Sequence, residues 1–447
     1  MKKFLSICMA VFVAFTANAQ KINISFIEYD LNNGLHVILH QDNSTPNVVV
    51  SLMYHVGAKD ENPERTGFAH LFEHLLFEGS ENIGRGEYMK IVQANGGELN
   101  ANTTSDRTYY YELMPSNQLE LALWLESERM LHAKIDSIGI ATQKSVVIEE
   151  RKQRVDNQQY GTAMEELFKR AFKEHHYHWS VIGDPEHIRN STDKDVEDFY
   201  KMYYVPNNAV LVVAGDFQTD NAKKLIEKYF GDIPRGTKPI TRYNIVEKPL
   251  DGEIRDIVYD NIMLPAVVMA YRSPAYGTKD FYTLQIINSI LWGGNSSRFK
   301  DNIDDKKKAM QSVILTTYPL AGEDPALNIA IGIANMGGKI EETEAAINHE
   351  IDSIVNYFVS NEELQKAIAA KEMEIVSGKG SIENIAHTLA EYHTFFRNAK
   401  MINNELANYS GIIREEIKRV AQKYLQSNNR VVLHYLPKSM QPKEEAK

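Results

Sequence analysis

The sequence predicts an α+β fold of two similar domains, each a mostly antiparallel sheet packed with helices. Its 447 residues exceed what one hydrophobic core usually supports. Strand patterns and amphipathic helix patterns alternate in both halves, separated by Gly, Pro and Asn turns. Residues 424–433 weakly echo residues 204–212, which suggests an internal duplication. With 43% hydrophobic and 24% charged residues, the composition is that of a globular protein.

The N-terminus has the pattern of a secretory signal peptide. A basic start at Lys2 and Lys3 precedes a short apolar run and a small-x-small end at Ala19. We expect cleavage after Ala19 and export to a bacterial periplasm, whereas a membrane anchor would need a longer apolar run. The single cysteine, Cys8, would leave with this peptide, so the mature chain would have no disulfide bond and no cysteine metal ligand.

Charge limits the classes of partner. The formal net charge of −11 becomes −13 once Lys2 and Lys3 are removed. This excess of carboxylates argues against nucleic acid and anionic membrane surfaces as partners. No later apolar stretch is long enough to cross a bilayer.

The first half begins with strands, and the turn Asn32-Asn33-Gly34 joins the first two into an antiparallel pair. A glycine turn at residues 96 and 97 feeds an extended run that pairs with a further strand. The run 234–239, rich in Pro and Gly, predicts a domain boundary. The expected strands are 24–29, 35–40, 48–56, 98–104, 106–113 and 209–214, and the expected helices 68–78, 119–131, 140–155 and 221–230.

The second half repeats this plan loosely. We expect strands at 267–271 and 327–333, and helices at 280–291, 341–359 and 362–376. The predicted division is a signal peptide at 1–19, an N-terminal zinc-binding catalytic domain at 20–236, a C-terminal domain of similar fold without a metal site at 237–437, and a tail at 438–447.

One helix carries a pattern of chemical interest. Apolar residues at 68, 71, 72, 75 and 76 follow helical spacing, and Gly79 stands where the helix would end. At 3.6 residues per turn, His70, Glu73 and His74 lie on one stripe opposite the apolar face. Two histidines one turn apart can reach one metal ion, and Zn²⁺ suits this ligand set best.

Glu73 sits where it could take a proton from a water on the metal, the general-base role in metal-assisted hydrolysis. The pattern HxxEH is the inverted form of the zinc-peptidase motif HExxH. The alternative is that the polar stripe is only the solvated face of a surface helix.

A catalytic zinc usually has three protein ligands, and the helix at 140–155 offers Glu149 and Glu150. On a helical wheel Glu150 lies between Val146 and Val147 on the inward side, whereas Glu149 lies outside the apolar arc. Glu150 is therefore the better candidate. Alternatively, both carboxylates face solvent and pair with neighbouring basic residues.

Residues 67–79 resemble, almost position by position, the motif helix of the pitrilysin family of zinc peptidases, which includes insulin-degrading enzyme and the mitochondrial processing peptidase. Glu150 follows His74 by 76 residues, where that family places its third ligand. Residues 100–103 with Asp106 and Tyr110, and the stretches 204–208 and 212–216, extend the similarity over most of the first half. The chain is similar to the short two-domain bacterial form.

This resemblance implies roles for particular residues. His70, His74 and Glu150 would be zinc ligands and Glu73 the general base. The edge-strand segment around Asn100 and Ala101 would hold peptide substrates as an added strand, a mode with broad sequence tolerance. Alternatively, Asn100 simply caps the turn after the glycines.

Three positions depart from the family pattern. Gln143 stands where the family often has a glutamate, seven residues before the third ligand. Asp304 and Gln311 stand where self-sufficient members carry an arginine and a tyrosine that help hold substrate and transition state. Because a carboxylate cannot replace a guanidinium as a donor, we expect a heterodimer whose homologous partner supplies Arg and Tyr. A homodimer is the less favoured alternative.

The sequence thus predicts an exported zinc metalloendopeptidase that hydrolyses peptides of limited size in a chamber closed by two similar subunits. A non-catalytic zinc-containing scaffold or peptide-binding subunit of the same fold is the alternative, and the intact Glu73 argues against it. The cluster His175, His176 and His178 is interpreted as solvated loop surface rather than a second metal site.

Overall fold

The computed structural model describes residues 23–316 and 323–442, and within these ranges eleven strands form two sheets. The first sheet has the strand order β1-β2-β6-β3-β5-β4 and the second the order β7-β11-β8-β10-β9. The strands are β1 Ile27–Asp30, β2 His36–Gln41, β3 Asn47–Tyr54, β4 Glu98–Thr103, β5 Thr108–Pro115, β6 Ala209–Gly215, β7 Ile254–Asp260, β8 Ala266–Arg272, β9 Gln311–Thr316, β10 Leu327–Ile333 and β11 Arg430–Pro437.

Helices pack against both sheets. They are α1 Phe68–Leu75, α2 Tyr88–Ala94, α3 Leu119–Leu131, α4 Ser137–Arg151, α5 Ala163–Ala171, α6 Pro185–Asn190, α7 Asp193–Tyr203, α8 Thr219–Phe230, α9 Lys279–Trp292, α10 Ile340–Asn356, α11 Asn361–Gly378, α12 Ile382–Phe396, α13 Ala407–Ser410 and α14 Arg414–Tyr424. The α+β class with two mostly antiparallel sheets is confirmed. The predicted signal peptide lies outside the described residues, and the domain boundary at 236 remains a prediction.

The first sheet is not a simple succession of hairpins. β1 and β2 form the expected antiparallel pair. β3, however, does not pair with β2, because β6 from the end of this unit inserts between them, parallel to β2 and antiparallel to β3. Every residue of β6 is buried. A continuous apolar strand without alternation is typical of a central position in a sheet covered on both faces.

The second sheet repeats the plan of the first without β1. β7 and β11 form its parallel pair, as β2 and β6 do in the first sheet. The echoed segments also make the same local bonds, since Asn208 Nδ2 donates to Tyr203 O and Asn429 Nδ2 donates to Tyr424 O, each at 2.8 Å. The two units therefore share a fold, as the weak sequence echo suggested.

Helix α12 from the second half covers the outer face of the first sheet. Its Ile385 and Leu389 belong to one buried apolar cluster with Met53 and Val212. Burial of this kind stabilises by roughly 25 cal/mol per Å² of apolar surface. The face of β6 opposite α1 is thus closed by α12 from the other half of the chain.

A buried cation adds a polar link between the halves. Lys59 Nζ lies 2.7 Å from Asp106 Oδ1, 2.5 Å from Glu323 Oε2 and 3.1 Å from Asp324 Oδ2. Although burial opposes it, these carboxylates raise the pKa of Lys59. Since a buried charge is costly unless paired, this cluster fixes residues 323 and 324 against the first half.

The histidine cluster at 175–178 packs against this link. His175 and His176 are only 4% and 7% exposed, and His176 Nδ1 lies 2.7 Å from Lys59 O. The interpretation of the cluster as solvated loop surface was therefore wrong. The loop is polar in sequence, but it lies between the two halves.

Among the described residues, no helix combines the length and apolar character needed to span a bilayer.

Candidate active site

Helix α1 begins at a glycine and receives its cap from a distant carboxylate. Gly67 has φ of 92°, and a Cβ built there would meet Ile182 O at 2.8 Å, so only glycine fits. Glu61, fully buried, accepts hydrogen bonds from Gly67 N and Ala69 N, both at 2.8 Å. These bonds satisfy two of the unpaired N–H groups at the helix start, while burial raises the pKa of the Glu61 carboxyl.

The other end of α1 is held by a buried arginine. Arg129 Nη1 donates to Leu76 O at 2.9 Å, and its guanidinium lies 4.4–4.5 Å from the ring centres of Phe77, Tyr88 and Tyr110. It therefore satisfies a terminal carbonyl and adds cation–π contacts in a dry setting. Sequence reasoning found neither Glu61 nor Arg129, because neither lies at a standard capping spacing from the motif.

The structure brings His70, His74 and Glu150 together. The two imidazole centres lie 4.8 Å apart with ring planes at 77°. Glu150 Oε2 lies 3.7 Å from His70 Nε2 and 3.1 Å from His74 Nε2. Two ligands of one tetrahedral zinc, each about 2.1 Å from it, are about 3.4 Å apart. The three donor atoms, from two imidazoles and one carboxylate, thus fit a zinc ion.

The protonation state of His70 also favours metal binding. Burial, with a further effect of neighbouring His74 and Arg154, lowers the pKa of His70 to about 3. His70 is therefore neutral at ordinary pH and has a free lone pair, the form that binds metal. The side chains of His74 and Glu150 are 24% and 15% exposed, so the group is open on one side. The motif is not a solvated surface face.

The two neighbouring carboxylates of α4 have different surroundings. Glu150 faces the imidazoles, and its Oε1 also lies 2.8 Å from Arg154 Nη1. The Glu149 side chain is 57% exposed and pairs with Lys152 at 3.3 Å. Val147 is buried as the helical wheel expected, but Val146, which the wheel also placed inward, is 42% exposed, so the periodicity located the inward side of α4 only in part.

Glu73 stays outside the three-residue group. Its Oε2 accepts a hydrogen bond from Thr103 Oγ1 at 2.7 Å. Burial raises the pKa of Glu73, while this hydrogen bond opposes the change. One carboxylate oxygen is oriented by β4, and the side chain lies on the same face of α1 as the two histidines. A raised pKa and a fixed orientation suit a proton acceptor.

Strand β4, which contains Asn100 and Ala101, forms an edge of the first sheet and pairs only with β5. Thr104 N donates to Arg107 O at 2.9 Å, so the alternation of an antiparallel ladder turns the backbone of Ala101 and Thr103 toward the open edge. Accordingly Ala101 N donates to the Asn100 side chain, not to β5. Asn100 lies within the strand, so it does not cap the preceding turn.

The three departures lie in different places. Gln143 is on α4 and its Nε2 donates to Glu78 Oε1. Asp304 ends the helical turn Lys300–Asp304 and accepts a hydrogen bond from Ser312 Oγ at 2.7 Å. Gln311 is the exposed first residue of β9, the edge strand of the second sheet. Asp304 and Gln311 thus place a carboxylate and an amide where self-sufficient members of the family pattern have an arginine and a tyrosine.

Among the described residues, one further group has the composition of a metal site, namely Glu28, His36 and His393. The His36 and His393 rings, however, are stacked with planes only 16° apart. Ring nitrogens donate in the ring plane, so the lone pairs of these two rings run side by side and do not converge. His393 Nε2 also lies 3.4 Å from the Arg397 guanidinium. This group links the halves without the geometry of a metal site.

Comparison with known proteins agrees with this arrangement. Residues 36–185 match the family described as Insulinase (Peptidase family M16), and residues 190–371 match the Peptidase M16 inactive domain. The zinc protease PqqE of Helicobacter pylori is 28% identical over 443 residues, which cover 97% of this chain and 98% of that protein. The mitochondrial-processing peptidase subunit beta of Lentinula edodes is 23% identical, covering 88% of this chain and 86% of that protein.

Solved structures show the same fold. The crystal structure of a protease from Helicobacter pylori superposes with a TM-score of 0.88 at 27% identity, over 92% of this chain and all of that chain. The periplasmic protease PqqL from Escherichia coli gives a TM-score of 0.74 at 18% identity, over 92% of this chain but only 47% of that chain. Both halves of the chain, the HxxEH helix and the zinc proteases among its relatives lead to one assignment: this protein belongs to peptidase family M16, in its short two-domain form.

Proposed function

We propose that this protein is an exported zinc-dependent endopeptidase in which His70, His74 and Glu150 hold the metal and Glu73 is the general base. The observation that carries the proposal is the convergence of three donor atoms from α1 and α4, with a fourth, uncoordinated carboxylate beside them. Membership of a family with relatives named zinc protease supports it.

The substrate peptide would add to the open edge of β4 as an antiparallel strand, held by the main chain around Asn100 and Ala101. Zinc bound at the three ligands would polarise the scissile carbonyl and lower the pKa of the attacking water. Thr103 orients Glu73 through Oε2, which leaves Oε1 free to accept the proton of that water and later to pass it to the leaving amine. Main-chain recognition would make the cleavage preference broad.

In the alternative, a non-catalytic scaffold, the zinc would be structural and not catalytic. A structural site gains nothing from a free carboxylate next to its ligands, and structural zinc sites are usually closed by four protein ligands. Here the group offers three donors and is open on one side. The arrangement therefore supports a catalytic site over a structural one.

Metal removal tests this proposal. We expect the protein purified from the exported fraction to begin at Gln20, which its intact mass would show. It should carry one zinc per chain. Treatment with 1,10-phenanthroline should abolish cleavage of a fluorogenic peptide, and stoichiometric zinc should restore it. Zinc-loaded protein that shows no cleavage, alone or with its partner, would support the scaffold. Cleavage that survives complete zinc removal would contradict both.

We further propose that the active assembly is a heterodimer. Asp304 and Gln311 provide neither a guanidinium nor a phenol, so donors for the tetrahedral transition state would come from a homologous subunit. The match to half of the longer protease PqqL and to a relative named as a subunit supports pairing of two such units.

Reconstitution checks the pairing. The purified chain alone should cleave peptides at least about 100-fold more slowly than an equimolar mixture with a homologous chain that has Arg and Tyr at the matching positions, because one oxyanion donor contributes about 10²–10³ in rate. The matched control replaces that Arg of the partner by Met. Full activity of this chain alone, at a concentration where it sediments as a dimer, would instead establish the homodimer.

A further inference from the structure

Glu78 lies just past the end of α1, four residues after His74, and it connects the two helices that carry the proposed ligands. We infer that Glu78 is a positioning residue that sets the register of α4 against α1, so that Glu150 meets the two imidazoles. This inference rests on the proposed function for its consequence in catalysis. Its structural basis is independent of that function.

The contacts of Glu78 form a continuous chain to α4. Its carboxylate, 9% exposed, accepts hydrogen bonds from Gln143 Nε2 through Oε1 and from Arg85 Nη1 through Oε2. Arg85 Nη2 in turn donates to Asp136 Oδ1 at 2.9 Å. Asp136 caps α4 by accepting from Gly139 N at 2.8 Å. Both the first turn of α4 and its middle are therefore tied to the end of α1.

The positions of these contacts along α4 determine how they orient the helix. Gln143 precedes Glu150 by seven residues, about two helical turns or 10.5 Å along the axis. His74 meets Glu150, and Glu78, one turn further along the chain, meets Gln143. The two helices thus run antiparallel with two fixed points. Two contacts on one face oppose both sliding and rotation of α4, and further contacts, Lys144 Nζ to Ser191 O and Arg151 Nη1 to Glu165 Oε1, also restrain this helix.

The two side chains are complementary in charge and donor type. Gln143 Oε1 is buried and makes no hydrogen bond to any described residue, so its amide is oriented by the Nε2 contact alone. A carboxylate at 143 would face the buried Glu78 carboxylate directly, and the repulsion between the two like charges would weaken this contact between the helices. Arg85 Nη1 lies 3.0 Å from where a Cβ of Gly139 would be, one turn from Gln143. Since Arg85 and Gln143 contact the same Glu78 carboxylate, we expect the guanidinium to reach a carboxylate placed at 143.

A charge exchange tests the inference. Glu78→Gln and Gln143→Glu are expected to weaken zinc binding 10- to 100-fold each, the usual effect of losing a group that orients metal ligands. The double variant Glu78→Gln/Gln143→Glu restores one carboxylate, one amide and the Arg85 contact, and should bind zinc within about threefold of the parent. Glu149→Gln, on the exposed side of α4, is the matched control and should leave the affinity unchanged.

Zinc affinity is measured by competition with a chromophoric chelator on full-length protein, with the thermal midpoint of the zinc-free protein recorded for each variant. If Glu78 and Gln143 only stabilised the fold, the single variants would lower the thermal midpoint, and the double variant would not recover the zinc affinity. Glu78→Gln with parental zinc affinity, or a double variant as weak as the product of the single effects, would overturn the inference. Because the readout is metal binding, a parent that binds zinc but cleaves no peptide either alone or with its partner would refute the proposed function and leave this result interpretable.

Discussion

Replacing Glu73 by Gln is expected to reduce kcat for peptide cleavage by about 10²–10⁴-fold, the usual contribution of a general base. The amide is isosteric and can still accept the hydrogen bond from Thr103, so the geometry of β4 and α1 should persist. It has no basic oxygen to take the proton of the attacking water. Because Glu73 is not among the three donors, zinc content should remain at one per chain.

Rates on a fluorogenic peptide under saturating substrate, together with zinc analysis of the same samples, measure this effect. Glu64→Gln is the matched control, an exposed carboxylate just before α1 that should have no effect. If Glu73→Gln were as active as the parent while retaining its zinc, the assignment of the general base would fail.

Replacing Glu150 by Gln should remove both metal and activity. An amide oxygen is a much weaker zinc ligand than a carboxylate, and the change also leaves two imidazoles alone to hold a dication. We expect zinc affinity to fall more than about 100-fold, beyond the range for residues that only orient ligands. Activity should recover in part at high zinc concentration, which distinguishes loss of metal from loss of the fold.

The neighbouring variant Glu149→Gln gives the sharpest comparison, since it changes the same chemical group one residue away. Glu149 faces solvent and pairs with Lys152. Equal zinc loss in both variants would mean that α4 lies differently in solution. Full zinc occupancy in Glu150→Gln would exclude Glu150 as the third ligand.

Local patterns of apolar residues were sufficient to place several elements. The expected helix at 119–131 and the expected strand at 327–333 coincide with α3 and β10 to the residue. The expected helix at 140–155 begins three residues after the start of α4 and ends within the helical turn Lys152–Asp156 that follows it. In each case the chain itself carries the repeat, so a window of a dozen residues is enough.

Other elements could not be found in this way. The edge strands β7 and β9 were not predicted, because apolar and polar residues do not alternate along Ile254–Asp260 and Gln311–Thr316. Helix α12 was missed even though it closes the outer face of the first sheet. The insertion of β6 between β2 and β3 pairs residues that lie 155 to 174 positions apart in sequence. Contacts of that separation leave no trace in a local pattern.

By itself, the sequence determined the face of α1 that carries His70, Glu73 and His74, and the face of α4 that carries Glu150. Only the tertiary structure decided that these two faces meet, that Thr103 holds Glu73, and that Glu78 bridges Gln143 and Arg85. The physical reason is that which residues share one helical face follows from 3.6 residues per turn along a continuous chain. The distance between two faces depends instead on the packing of every side chain between them.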